Sequence, residues 1–234
     1  MSAVAIKVLS AGAVKSPVAA LVDAYANQTG AKVEISYGTM GLLQEKLAAG
    51  ERADVMIATV EVLTELEKQG KIAPGSRAAL GEIGVGVAVR ADAPLPDIST
   101  PEAFKQAVLK AKSIVYVDPT KGTSGKHFAG VLQRLGIADA VKSKTVLRAG
   151  GYALEAVATG EAEIGVQQTS EILPVKGIKF VGPLPGELQK ITTYSAAMMS
   201  GAGSAEAASA FIRYLTGKDG RAMFAAKGFA APVG

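Results

Sequence analysis

The sequence predicts an α/β protein of two lobes, each a mixed sheet with helices on both faces, joined by two extended crossovers around a ligand cleft. Three observations carry that reading. A strand–turn–helix unit repeats three times within residues 6–70, as happens when crossover helices link neighbouring strands of one sheet. Residues 91–101 then hold three prolines and interrupt the repeat. After a second series of units, a long strand pattern over residues 191–199 brings the chain back. Lobe one is therefore expected over 1–84 and 195–234, lobe two over 90–190, with hinge crossovers at 85–89 and 191–194. A chain of 234 residues is long enough for two cores of this size.

Each element has a local reason. Residues 6–10 read as a strand, and Ser16-Pro17 as an N-cap and first helical residue. Val18, Leu21, Val22 and Tyr25 share one face of the helix that follows, and Gly30 stops it. Residues 32–37 alternate as a strand, and Gly38-Thr39 opens a helix through Leu42, Leu43 and Leu47. Residues 53–58 and 60–69 complete the third unit. Residues 83–90 form one β-rich run with Gly84 and Gly86 inside it. In lobe two the helices are expected over 101–110, 128–135 and 152–159, and the strands over 113–117, 144–147, 163–168 and 179–182. Helices over 205–215 and 220–226 close the chain.

Composition narrows the chemistry. There is no cysteine, which removes disulfides, thiolate metal sites and cysteine nucleophiles. Tryptophan is absent and histidine occurs once, as His127, so neither a sugar-stacking platform nor a metal centre is expected. Asp54 with Glu51, and Glu161 with Glu163, lack the spacing of a carboxylate metal cluster. The net charge of +4 is spread without a basic run, which gives nucleic-acid binding no footing. No apolar stretch reaches the roughly 18 residues of a membrane span, and residues 2–9 are too short for a signal peptide. The chain thus reads either as cytosolic or as a mature exported form restarted at Met1.

The stretch with most chemistry is Val115-Tyr-Val-Asp-Pro-Thr-Lys-Gly-Thr-Ser-Gly-Lys-His-Phe128. A strand runs into a small-residue loop and then a helix start, so backbone N–H groups and the positive end of a helix dipole converge on an anion. Thr123, Ser124 and Gly125 supply hydroxyls and close backbone approach, and Lys121, Lys126 and His127 add charge and donors. It is not a Walker A loop, because Thr120 stands where the leading glycine belongs. Arg148, ahead of Gly150-Gly151 and a predicted helix, forms a second anion-friendly turn, and Tyr152 beside it either covers the cleft or packs on the lobe surface. Each residue has a plainer alternative: Thr39 as a helix cap, His127 as packing, Arg148 as a solvated strand end.

Several segments resemble the periplasmic substrate-binding proteins of the molybdate-binding type, in the two-crossover class. They are Ile6-Lys-Val-Leu-Ser-Ala-Gly12, Tyr37-Gly-Thr-Met-Gly-Leu-Leu43, Ala53-Asp-Val-Met-Ile-Ala58, Val117-Asp-Pro119 and Ala156-Val-Ala-Thr-Gly-Glu-Ala-Glu-Ile-Gly-Val166. The resemblance implies the two-lobed periplasmic-binding-protein-like fold, hinge closure on a small anion, an ABC-transporter permease as partner, a periplasmic monomer whose leader has been removed, and no cofactor. It also implies ligand positions at Gly12 and Ala13, where the family carries a serine, at Thr39 and Met40 for a serine pair, and at Gln168 for a tyrosine. Together with Thr123, Ser124, Gly125, Arg148, Gly151 and Tyr152 these form the expected site. Long polar side chains such as Lys126, Arg148 and Gln168 suit a carboxylate better than a bare oxyanion.

Two functions follow. One is an extracytoplasmic receptor for an organic carboxylate or oxyanion, which needs no catalytic group. The other is an isomerase of a small polycarboxylate such as aconitate, since aconitate isomerase is a relative of this family. That reaction needs one base, for which His127 and Lys126 are the candidates, and cations or amides to hold enolate-like charge.

Overall fold

The computed structural model describes residues 5–232, and the reading of Met1 as an added start falls outside them. The chain divides into two compact units, residues 1–83 with 192–234 and residues 84–191.

The first unit is built on a five-stranded sheet in the order β2-β1-β3-β10-β4. Its strands are β1 (Ala5–Ala11), β2 (Lys32–Gly38), β3 (Val55–Thr59), β4 (Ala78–Ile83) and β10 (Thr192–Met198). β1 runs parallel to β2 and β3, while β10 is antiparallel to β3 and β4. Around the sheet stand α1 (Lys15–Thr29), α2 (Met40–Ala48), α3 (Val60–Lys68), α9 (Ala205–Thr216) and α10 (Lys218–Ala226). Tyr25 of α1 meets Phe211 and Tyr214 of α9 at ring-centroid distances of 5.2 and 4.9 Å, which docks the last helices on the first. Such ring pairs add about 0.5–1.5 kcal/mol beyond the area they bury.

The second unit repeats the plan with the sheet order β7-β6-β8-β5-β9. It contains β5 (Val85–Arg90), α4 (Pro101–Lys110), β6 (Ile114–Val117), α5 (Thr123–Arg134), α6 (Ala138–Lys142), β7 (Thr145–Arg148), α7 (Glu155–Ala158), β8 (Ile164–Gln168), α8 (Thr169–Ile172) and β9 (Ile178–Pro183). β6 is parallel to β7 and β8, and β5 is antiparallel to β8 and β9. Each sheet is thus three parallel strands, an antiparallel strand reached from the other unit, and an antiparallel edge.

Strand alternation covers both faces of this second sheet. Ile114, Tyr116, Val87 and Val89 pack with Phe104 and Val108 of α4 and with Phe128 and Val131 of α5. Val115, Val117 and Ala88 pack with Leu154, Val157 and Ile172 on the other side. The C-terminal carbonyls of α4 are closed by Lys144, whose Nζ donates to the carbonyls of Val108, Leu109 and Ala111 at 3.0, 2.6 and 2.6 Å. A cation there satisfies orphan acceptors and meets the negative end of the helix dipole.

Three expectations shift. Residues 85–89, expected as a crossover, are strand β5 in the middle of a sheet, and the chain passes between units at Ile83–Gly84 and Ile191–Thr192. Residues 83–90, expected as one run, are the end of one strand and the whole of another in a different sheet, with Gly84 between them. α1 begins at Lys15 after a 3-10 turn over Gly12–Val14, so neither Ser16 nor Pro17 starts it.

Candidate functional site

Register fixes where the candidate residues lie. In the first unit Ala11 pairs with Gly38, so the turns that follow β1 and β2 leave the same edge of the sheet side by side. The first turn carries Gly12 and Ala13 and the second Thr39 and Met40. In the second unit Val117 pairs with Arg148 and Tyr116 with Val166, which puts the segments after β6, β7 and β8 at one edge. Both edges are carboxyl ends of parallel strands, where open α/β sheets take their ligands.

In the first unit the structure gives the named residues unequal parts. Ala13 and Met40 are buried in the core, 6% and 8% exposed, so their backbones rather than their side chains are what the turns present. Thr39 caps α2: its Oγ1 accepts from the Leu42 amide at 3.4 Å and its carbonyl accepts from the Leu43 amide at 3.0 Å. Lys15, which the sequence reading passed over, sets its Nζ 5.7 Å from the centroid of the Tyr37 ring and brings a positive charge to this edge.

The loop after β6 is held from within. The Asp118 carboxylate accepts from the amide and the hydroxyl of Thr120 at 2.8 and 2.7 Å. Those bonds hold its carboxyl below the usual carboxylate range. The Asp118 carbonyl accepts from the amides of Lys121 and Gly122 at 2.9 and 3.1 Å, and α5 follows at once. Its cap residue, Gly122, offers no side-chain acceptor to the first turn, in contrast to the Thr39 cap of α2. The amides of Thr123, Ser124 and Gly125 therefore open a helix without a side-chain cap, as at an anion-binding helix start. Ser124 is 5% exposed. Gly125 lies against the end of β6: a Cβ built on it would stand 1.9 Å from the Val117 carbonyl oxygen. Only glycine lets the helix start come this close to the strand.

The two candidate bases on α5 are placed differently from what catalysis asks. His127 is half-buried with Nε2 2.8 Å from the Leu188 carbonyl. An acceptor there requires the proton on Nε2, so the ring donates and serves as a packing tie. Burial holds its pKa below the ordinary value against the raising effect of that bond, and Lys190 and Arg134 push the same way as burial. Lys126 is exposed.

After β7, Arg148 forms an ion pair with Glu161, and its carbonyl accepts from the Asp118 amide at 2.7 Å. The guanidinium expected to clamp an anion is engaged with a carboxylate. The expected helix over 152–159 is only the four residues of α7, because Gly150 (φ 155°) and Gly151 (φ 70°) carry the chain through a turn first. Tyr152 lies in that turn, and burial raises its pKa, with Glu171 and Glu155 adding to the effect.

After β8 the structure shows residues that the sequence reading missed. Gln168 is buried at 2% exposure and precedes α8. Gln167, fully buried, donates from Nε2 to the Gly151 carbonyl at 2.7 Å and so ties this strand end to the Tyr152 turn. Gln167 also hydrogen-bonds the carboxyl of Glu171. Burial pushes that carboxyl up to about 8, with the Gln167 bond opposing the rise. The signal available in the sequence was Gln-Gln-Thr-Ser-Glu at the end of an apolar strand, a polar run where buried side chains were already expected.

A further groove in the second unit is lined by Val89, Leu95, Ala107, Val157 and Ile164. It lies at the amino end of β8, away from these loops.

Comparison with known proteins follows this geometry. The family model of bacterial extracellular solute-binding proteins matches residues 6–230. An aconitate isomerase of Pseudomonas sp. is 37% identical over 218 residues, spanning 91% of this chain and 82% of that protein. A molybdate-binding protein of Azotobacter vinelandii is 29% identical over 221 residues, spanning 92% of this chain and 85% of that protein. Among solved structures, a periplasmic molybdate-binding protein of Azotobacter vinelandii superposes with a TM-score of 0.83 at 23% identity, over 97% of this chain and 100% of the other.

Proposed function

The chain belongs to the bacterial extracellular solute-binding proteins, and from that membership we propose that it binds a small organic polycarboxylate outside the cytoplasm. The carrying observation is the sheet edge of the second unit. There the uncapped start of α5 at Thr123, Ser124 and Gly125, the Gly151-Tyr152 turn and Gln168 follow three adjacent strands. Backbone amides and neutral polar groups can hold carboxylates by charge-assisted hydrogen bonds worth about 1.5–3 kcal/mol each. In the first unit Gly12, Ala13, Thr39 and Met40 offer a second set of backbone donors, with Lys15 close by. A tetrahedral oxyanion is the weaker fit, since alanine and methionine stand at two of the positions where the resemblance implies serine. As a receptor, the protein would hand its ligand to the permease of an ABC-type transporter.

Calorimetric titration with trans-aconitate, citrate and molybdate tests this reading. Saturable binding of a tricarboxylate and none of molybdate is expected; molybdate binding without tricarboxylate binding overturns it.

A second reading, isomerisation of the bound polycarboxylate, is favoured by one specific observation. It is the likeness to an aconitate isomerase, 37% identical over 91% of this chain. Turnover of cis- to trans-aconitate, followed by ultraviolet absorbance, separates an isomerase from a receptor that binds without turnover.

A further inference from the structure

Gln167 is 0% exposed and lies one residue before Gln168, so the two side chains leave opposite faces of β8. A side chain buried to that degree does not touch a ligand, yet it bonds the turn proposed to hold one. Resting on the reading of this edge as the polycarboxylate site, we propose that Gln167 is a positioning residue. Its bond to the Gly151 carbonyl fixes the direction of the Gly151–Tyr152 peptide, so that the Tyr152 N–H meets a carboxylate of the ligand.

Three features of the surroundings support the assignment. The first is the tie itself. Gln167 Nε2 donates to the Gly151 carbonyl at 2.7 Å, and β8 is the central strand of its sheet, with Gln167 in register with Gly86 of β5. The turn after β7 is thereby fastened to the middle of the sheet. The same carbonyl accepts from the Ala153 amide at 3.1 Å, but that bond lies within the turn and moves with it. The second is peptide geometry. Among the described residues no peptide bond is cis, and in a trans peptide the N–H and C=O point in opposite directions. A Gly151 carbonyl drawn inward to Gln167 therefore sends the Tyr152 N–H outward from the buried layer. Gly150 and Gly151, at φ 155° and 70°, set no side-chain limit on this peptide, so an anchor outside the turn decides its direction. The third is what the glutamine gives up. Its Oε1 is buried without a hydrogen-bond partner, which is rare for a buried polar atom. An apolar side chain of the same length would fill the space without leaving an acceptor unpaired. Stability alone gives no reason for glutamine here, whereas a need for its N–H donor does.

The test compares wild type with Gln167→Met, which keeps the length of the side chain and removes the donor. Trans-aconitate binding is measured by calorimetry well below the thermal midpoint, and melts report stability. Gln167→Met is expected to keep or raise the midpoint, because the unpaired oxygen leaves with the donor. Binding is expected to weaken about tenfold, through a misdirected Tyr152 amide. Thr145→Val is the control. It removes a tie of the same kind at the start of β7, where Thr145 Oγ1 donates to the Val141 carbonyl at 2.8 Å. It is expected to lower the midpoint and leave affinity unchanged. A double variant with Gly151→Ala checks that Gln167 acts through the turn: the two losses should overlap, leaving it within about threefold of the weaker single variant. Wild-type affinity in Gln167→Met, or losses that add in full, overturns the assignment and leaves the ligand reading standing. A wild type that binds no polycarboxylate sinks both. Should Gln167→Met fail to fold, Gln167→Glu takes its place, since it keeps the shape and sets an oxygen where the donor was. Its affinity is expected to fall about tenfold as well, and unchanged affinity counts against Gln167.

Discussion

The Gly125→Ala variant is expected to lose roughly 3 kcal/mol of stability, read as a lower urea midpoint for unfolding. The added Cβ would stand 1.9 Å from the Val117 carbonyl oxygen, 2.7 Å from its carbon and 3.1 Å from the Asp118 carbonyl oxygen. All three are backbone atoms, so no side chain can swing aside, and the start of α5 must retreat from the end of β6. That movement pulls Phe128 away from Tyr116, whose ring it meets edge-on at 5.0 Å. It also displaces the amides proposed to hold the anion, so ligand affinity falls with stability. Gly130, five residues along the same helix, is the control: nothing lies within 4 Å of a Cβ there. Gly130→Ala is expected to stabilise by about 0.5–1 kcal/mol through helix propensity. Equal effects at the two positions would show that the contact with Val117 is not what requires glycine.

The second large effect is a pH dependence of stability set by Glu171. Its folded-state carboxyl is raised to about 8 from an ordinary 4.5. Between those values the folded protein holds a proton that the unfolded chain has released, so the slope of unfolding free energy with pH is negative for this group. Its contribution is therefore most favourable below about 4.5 and is lost progressively as pH rises to about 8, a change on the order of 5 kcal/mol. Glu171→Gln removes the titration. Measured as the difference between variant and wild type, stability should be similar at pH 4 and should favour the variant increasingly up to pH 9. A difference that stays constant with pH would mean that the carboxyl is not held neutral by its surroundings.

These two residues also mark how far the sequence could be read. The loop holding Gly125 was visible because strand, turn and helix start each leave a local signature, and its small residues follow one another in the chain. The same locality made the Thr39 turn and the repeating units legible. β4 was not recognised as a separate strand, because Ala-Ala-Leu-Gly-Glu-Ile lacks clean alternation and pairs with β10, more than 100 residues away. β5 carried a correct strand pattern, yet periodicity says nothing about which sheet a strand enters, and so it was given to a crossover. Arg148 was read as an anchor from its place beside two glycines. Its partner Glu161 comes from the turn after α7, a contact that needs the fold. Glu171 was passed over for the same reason. In sequence it is an ordinary acidic residue in the first turn of a helix, and what changes its chemistry is burial near Gln167 and the turn at Tyr152.

The measurement that bears most directly on the proposed anion site is backbone hydrogen exchange with and without saturating trans-aconitate. Slowed exchange is expected at residues 122–126, 149–153 and 167–171 of the second unit, where strand ends and helix starts present their amides. The groove near Leu95 and Ala107 should be unaffected. Saturable binding that slows exchange at that groove, and leaves these three loop segments unchanged, would contradict the account.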